Sequence, residues 1–333
     1  MDSLHPLNEI GKASWFPFSD EPVIEGLWYI PRLSSPVFLF PEESPDGKWH
    51  LFAHSYLGIN HYTSDSGIMW EPNRLVQLRG KHPFLFKEKG LFYLIYERHG
   101  RRIPFFERRA QKGRLPYLIG SHIEIRSSTD LSLWSEPKTI FEAKEVDSSG
   151  DYLKKRSIGH PQLIAVDGGY RLYVGSSKVG KNPSSSRYLI SAFCETIEGP
   201  YIVESQKPLI ESEGNDIYRN LATGRVSVYK AQNLFVALQN GRYWNEERQA
   251  ESSAITLLKS EDGKKWSKWG KKPILIPAQS GWASKHIVGC DIRYKADEAC
   301  WYCYFSATGE PQYGFVRESI GLLIGRSEKV RQL

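Results

Sequence analysis

Along most of the chain apolar residues come in runs of four to eight, bounded by Gly, Pro, Asn or Asp, and helical spacing is scarce. That pattern predicts short β-strands. Five runs open comparable stretches: "SPVFLF" at 35, "HPFLF" at 82, "HPQLI" at 160, "RVSVY" at 225 and "DIRY" at 291. A second run follows each, "WHLFAHS", "LFYLIYER", "YRLYVGSS", "LFVALQN" and "WYCYFS". The third set is "INHYTS", "IEIRSS", "YLISAF", "AITLLKS" and "SIGLLIG".

A repeat fixes the count. "TSDSGIMWEP" (63–72), "SSTDLSLWSEP" (127–137) and "KSEDGKKWSKW" (259–269) each give a Ser, a turn and a Trp, at 70, 134 and 266. The gaps imply a period of about 65 residues and a missing member near 200, where "CETIEGPYIV" puts Gly199-Pro200-Tyr201 in place of the Trp. A fourth strand begins at each Trp. The expected fold is therefore all-β, a five-bladed β-propeller with four antiparallel strands per blade. The fifth unit ends at "SIGLLIGRSEKVRQL" before its fourth strand. "SWFPFSDEPVI" spaces Trp15 from Pro22 as Trp266 is spaced from Pro273, so residues 12–24 are expected to complete the last blade. Such closure leaves no open sheet edge. It also makes residues 1–333 one domain.

In such a ring, the entrances of first strands and the exits of second strands meet on one face. The entrances are Ser35, His82, His160, Arg225 and Asp291, and the exits are His54, Glu97, Ser176, Gln239 and Ser306. These ten polar side chains are expected around one funnel. Strand ends also face solvent, so solvation alone is a competing reason for their polarity.

With these strings in view, the sequence resembles the five-bladed propeller glycosidases, glycoside hydrolase families 43, 32, 68, 117 and 130. "SPVFLF", "HPFLFKEKGLFYLIYE", "SEDGKKW" and "EGPY" carry the likeness over nearly the whole chain. The blade-two string also looks like the propeller domain attached to some glycosyltransferases. The resemblance implies a glycosidic bond flanked by two carboxylates. In those families acids enter the first three blades. Here the matching positions read Ser35-Pro36, His82-Pro83 and Gly159-His160-Pro161, so all three acids are replaced. Glu97 and Asp291 are the carboxylates left to act as acid and base, with His82 or His160 as proton donor or substrate contact.

Sugar recognition would fall to Arg225, Gln239, Asn240, Arg242 and Trp244, with Ser35, His54 and Ser176 contributing hydroxyl and imidazole groups. Tyr243 and Trp244 suit core packing equally well. Glu246 and Glu247 are reserve carboxylates or solvated loop charges. A basic run after blade two's second strand, "RHGRRIPFFERRAQKGRLPY", would overhang the funnel. Arg98 and, nearest the rim, Arg101 and Arg102 could hold a carboxylate or phosphate, or be solvated.

Composition narrows the classes. Aromatic residues are 13% of the chain, with 10 Trp and 18 Tyr, which suits strands and sugar-stacking surfaces. A net charge of +6 is too mild to point to nucleic acid. No apolar run reaches about 18 residues, so no membrane helix is expected. The N-terminus lacks a secretory signal pattern, so a cytoplasmic protein is expected. Cys300 and Cys303 fall on opposite faces of one strand, which fits buried thiols better than zinc. No dedicated metal spacing, phosphate loop or cofactor motif occurs. The expected partner is a small carbohydrate, with a homo-oligomer left open. The function expected is glycoside hydrolysis. A binding-only propeller and a glycosyl-transfer or phosphorolytic role are the alternatives.

Overall fold

The structure, a computed structural model, describes residues 6–27, 29–98, 121–142, 156–178, 188–205, 207–212, 216–311 and 316–327. Strand β1 (Ser14–Pro17) precedes blade one, made of β2 (Ser34–Leu39), β3 (Trp49–His54), β4 (Ile59–Ser64) and β5 (Glu71–Leu78). Blade two is β6 (Lys81–Glu88), β7 (Leu91–Arg98), β8 (His122–Ser128) and β9 (Lys138–Glu142). Blade three is β10 (Arg156–Val166), β11 (Gly169–Lys178), β12 (Tyr188–Cys194) and β13 (Ile202–Val203), with β14 (Ile210–Glu211) also paired to β12. Blade four is β15 (Ala222–Ala231), β16 (Leu234–Asn245), β17 (Ala250–Ser260) and β18 (Ser267–Lys268). Blade five is β19 (His286–Lys295), β20 (Cys300–Thr308) and β21 (Glu318–Arg326), and β1 is its fourth strand. No helix among the described residues is long and apolar enough to cross a membrane.

The repeated Ser-turn-Trp string is a local hydrogen-bond device. The Oγ of Ser64, Ser128 and Ser260 accepts from the N–H three residues on, at 2.9, 3.0 and 2.9 Å. Those residues, Gly67, Leu131 and Gly263, share a left-handed backbone with φ of 74°, 62° and 68°. The turn returns the chain so that each Trp packs on an apolar layer, Trp70, Trp134 and Trp266 alike. Where the Trp is missing, buried Tyr201 does the same work and donates to the Ile197 carbonyl at 3.0 Å.

The core is a ring of five apolar layers, one in each seam between neighbouring blades. Phe84, Ile158 and Leu172 join blades two and three, for instance, while Phe38, Tyr304 and Ile320 join blade five to blade one. Burial of this kind yields roughly 25 cal/mol per Å² of apolar surface. Because the seams take the apolar side chains, the axis is left to polar ones. Closure follows β1, whose Trp15 lies opposite Gly325 of β21. It continues beyond: Val23 and Ile24 donate to the Ile320 carbonyl, Glu318 N donates to Pro31 O at 2.8 Å, and Leu33 N donates to Glu318 O at 3.0 Å. Residues 14–27 and 29–33 thus follow β21.

Candidate functional site at the axial mouth

Every first strand carries a register shift at its entrance, within Ser34–Val37, Lys81–Phe84, Gly159–Gln162, Ala222–Arg225 and Ile287–Gly289. These are β-bulges, which re-aim side chains. In four blades the bulge holds a left-handed residue: Ser35 (φ 56°), His82 (51°), His160 (52°) and Gly224 (69°). Pro follows in the first three, where the bulge asks for no ladder N–H. Left-handed backbone at a non-glycine residue stores of order 1–3 kcal/mol and clusters at functional sites.

The bulges bring Ser35, His54, His82, His160 and Glu97 together. Ser35 Oγ lies 3.0 Å from His82 Nδ1, and the His82 Nε2 is 3.6 Å from Glu97 Oε2. The His82 N–H donates to His54 Nδ1 at 3.3 Å. His82 also meets His54 and His160 ring to ring, with centroids 4.3 and 3.6 Å apart. Glu97 is 5% exposed and its carboxylate lies over Gly159, the entrance of blade three.

A second carboxylate joins from the closing seam. The Ser35 N–H donates to Ser306 Oγ at 3.3 Å, and Glu318, at the start of β21, pairs with Arg32 Nε at 3.1 Å. Burial pushes the Glu318 carboxyl up, opposed by Arg32 and by the Ser34 and Ser306 hydroxyls. Burial likewise holds His82 well below the usual imidazole range, helped by His160, His54, Arg32 and Arg225. His54 is depressed for the same first reason, then by Arg32, Lys81, His160 and Arg225. Both imidazoles are neutral at pH 7.

Other expected residues take different places. Asp291 is not at the mouth: the register shift puts the entrance of β19 at Ile287–Gly289, and Asp291 lies two residues deeper, opposite Tyr304. Its Oδ1 accepts from Tyr229 Oη at 2.9 Å and its Oδ2 from Phe38 N at 3.2 Å, pinning three blades together. Gln239 donates to Thr223 O at 3.2 Å and Asn240 to Ile287 O at 2.8 Å, so both amides brace bulges. Ser176 is fully buried, with no hydrogen-bond partner at Oγ among the described residues. Arg225 is 3% exposed and passes over Gly289. On the rim, Arg98 donates to Arg79 O at 2.7 Å and Arg242 pairs with Glu251. Trp244 is exposed, whereas Tyr243 is buried against Tyr218. Glu246 and Glu247 are exposed loop residues. Arg101 and Arg102 lie outside the described residues. Among the described residues, no group of three His, Cys, Asp or Glu could hold a metal ion, and the four cysteines are free.

Sequence reasoning missed Glu318, Arg32 and the exposed rim residue Tyr56, over whose ring Arg32 lies at 5.6 Å. A charged residue directly ahead of the apolar run "SIGLLIG" was the available signal for Glu318. A cleft of about 550 Å³ lies at the opposite end, between blades three and four. There Arg171 and Glu204 satisfy each other at 2.7 Å. The mouth instead gathers buried polar atoms without a hydrogen-bond partner among the described residues, His54 Nε2, Ser176 Oγ and the Arg225 Nε and Nη1, and such atoms call for an explanation.

No family model and no curated protein matches the sequence. Solved structures do match its fold. An α-L-arabinofuranosidase from Podospora anserina in complex with cellotriose superposes with a TM-score of 0.64 at 12% identity, over 95% of this chain and 98% of that one. An N-acetylgalactosamine deacetylase from F. plautii in complex with blood group B trisaccharide gives 0.61 at 14%, over 97% and 98%. A family 117 glycoside hydrolase from the marine bacterium Zobellia galactanivorans gives 0.59 at 11%, over 94% and 90%. The chain is a five-bladed β-propeller with the fold shared by these carbohydrate-active enzymes, and its first three entrances carry Ser35, His82 and His160.

Proposed function

We propose that this protein hydrolyses a glycosidic bond of a small oligosaccharide or decorated sugar at the axial mouth, with Glu97 and Glu318 as the carboxylate pair. One observation carries the reading: two buried carboxylates flank the Ser35–His82 contact on the axis of a fold used by glycoside hydrolases. Glycoside hydrolysis needs one carboxyl that holds its proton and one that does not. Burial raises the Glu318 pKa, which fits the proton donor. Glu97 faces His82 and fits the base or nucleophile. In the tautomer where Ser35 Oγ donates to Nδ1, His82 carries its proton on Nε2 and offers it to Glu97. His82 and Ser35 then orient Glu97 without being charged themselves. Trp244 and Tyr56, both exposed on the rim, offer faces for a sugar ring.

Turnover of an aryl-glycoside and oligosaccharide panel tests this. Glu97→Gln and Glu318→Gln should each lower kcat by about 10²–10⁴-fold, with the fold kept. Wild-type turnover in both variants would reject the assignment. The second reading is a sugar-binding propeller without turnover, favoured by the complete burial of Ser35 and His54. It predicts calorimetric binding of a sugar from the same panel and no product from any.

A further inference from the structure

Arg225 has no role in the chemistry above, yet its situation is the least balanced at the mouth. It sits just after the bulge of β15, is 3% exposed, and its Nε and Nη1 have no hydrogen-bond partner among the described residues. The other ionisable groups nearby are engaged: Glu318 with Arg32 at 3.1 Å, Glu97 with His82 at 3.6 Å. A buried guanidinium with unmet N–H groups is strongly unfavourable unless an anion completes it.

The simplest alternative is that Arg225 neutralises Asp291. Asp291 favours the charged arginine only through space, while its oxygens are taken by Tyr229 Oη at 2.9 Å, Phe38 N at 3.2 Å and Arg293 Nε at 3.8 Å. Blade five also makes room for the arginine. A Cβ on Gly289 would lie 3.1 Å from the Arg225 Cδ and 3.2 Å from its Nη1, so a side chain there would crowd the guanidinium. Gly289 lies opposite Ser306, the hydroxyl that receives the Ser35 N–H at the mouth. His54 Nε2 and Ser176 Oγ, also buried and without a hydrogen-bond partner among the described residues, add hydrogen-bonding capacity around the axis.

We infer that the mouth takes a sugar bearing an oxyanion, a carboxylate or a sulfate ester, and that Arg225 binds that group. The inference rests on reading the mouth as a carbohydrate site. A charge-assisted bond from guanidinium to oxyanion is roughly twice as strong as a neutral one, so an acidic sugar is selected over its neutral counterpart. The selection arises because the neutral sugar leaves the arginine unpaired.

Melting temperatures of wild type, Arg225→Met and Glu97→Gln test it in sodium glucuronate, glucose 6-sulfate, glucose and sodium chloride, at matched ionic strength. At a hundredfold excess over Kd, one of the two acids should raise the wild-type Tm by about 4 °C, and glucose should not. The acid that does so identifies the group. Arg225→Met should lose the shift, yet in chloride melt no lower than wild type, because an apolar side chain of similar length replaces an unpaired buried charge. An equal shift in Arg225→Met, no shift with either acid, or a lower melting point of that variant in chloride overturns the inference. Glu97→Gln should keep the shift while losing turnover. Turnover of neutral sugars alone, without an acid shift, would sink this inference and leave the hydrolytic reading standing.

Discussion

Gly159 limits how close Glu97 can come to its neighbours. A Cβ at this position would overlap the Glu97 carboxylate, 2.7 Å from its carbon. Gly159 has no left-handed backbone, so alanine is compatible with its conformation. Gly159→Ala should therefore push the carboxylate off His82 and lower kcat by about a hundredfold, while the urea midpoint shifts little. Unchanged turnover would show that the Glu97–His82 geometry is immaterial. At this scale the sequence was informative where a polar residue interrupts an apolar run. His82, Glu97, His160 and His54 stand out in that way, and the bulges bring them together. Arg32 and Glu318 did not stand out, because residues 18–33 have no strand period and third-strand starts were not counted as part of the mouth.

Strand pairing explains both the best and the poorest of the sequence expectations. The Ser-turn-Trp string repeats because each blade needs the same return turn, and that repeat made the blade count legible. Bulges do not announce themselves in composition: one extra residue at the entrance of β19 moved Asp291 from the rim into the wall. The expected closing strand over 12–24 is real but shorter, Ser14–Pro17, and the following segment continues along β21 through backbone bonds. Trp15 packs flat against Gly325, where a Cβ would meet its ring at 2.8 Å. Trp15→Ala should cost about 2 kcal/mol, below the roughly 3–5 kcal/mol of a fully buried Trp, because Trp15 is only half-buried. Urea unfolding measures it, and a cost under about 0.5 kcal/mol would mean that the ring is held shut by residues 18–33 alone. Those residues matter to the site as well, since the same seam carries Arg32 to Glu318.

For the molecule as a whole, burying imidazoles along the axis and in blade one links stability to acid. His54 and His82 are held well below the ordinary imidazole pKa, first by burial. His61 is lowered to about 3, again by burial and then by His50, with which it shares a 2.8 Å hydrogen bond. In the unfolded chain all three take up a proton near pH 6.5. Below that pH the unfolded state binds more protons than the folded one, so stability falls as pH falls. Each histidine contributes up to about 1.4 kcal/mol per pH unit, and the contribution of His61 ends near pH 3. Asp291 and Glu318 act in the opposite sense. Their folded pKa values are raised by burial, so their effect on stability is most favourable below the unfolded value near 4 and is lost as pH rises through the folded one. Even with both carboxyls fully protonated in the folded ring, the three histidines outweigh them between pH 6 and 5, so stability falls over that interval. The urea midpoint should therefore drop over that interval, and potentiometry should record net proton uptake on unfolding at pH 5.5. A midpoint that holds or rises from pH 7 to 5 would mean that these imidazoles are charged in the folded ring, which would also remove the neutral His82 on which the orientation of Glu97 depends.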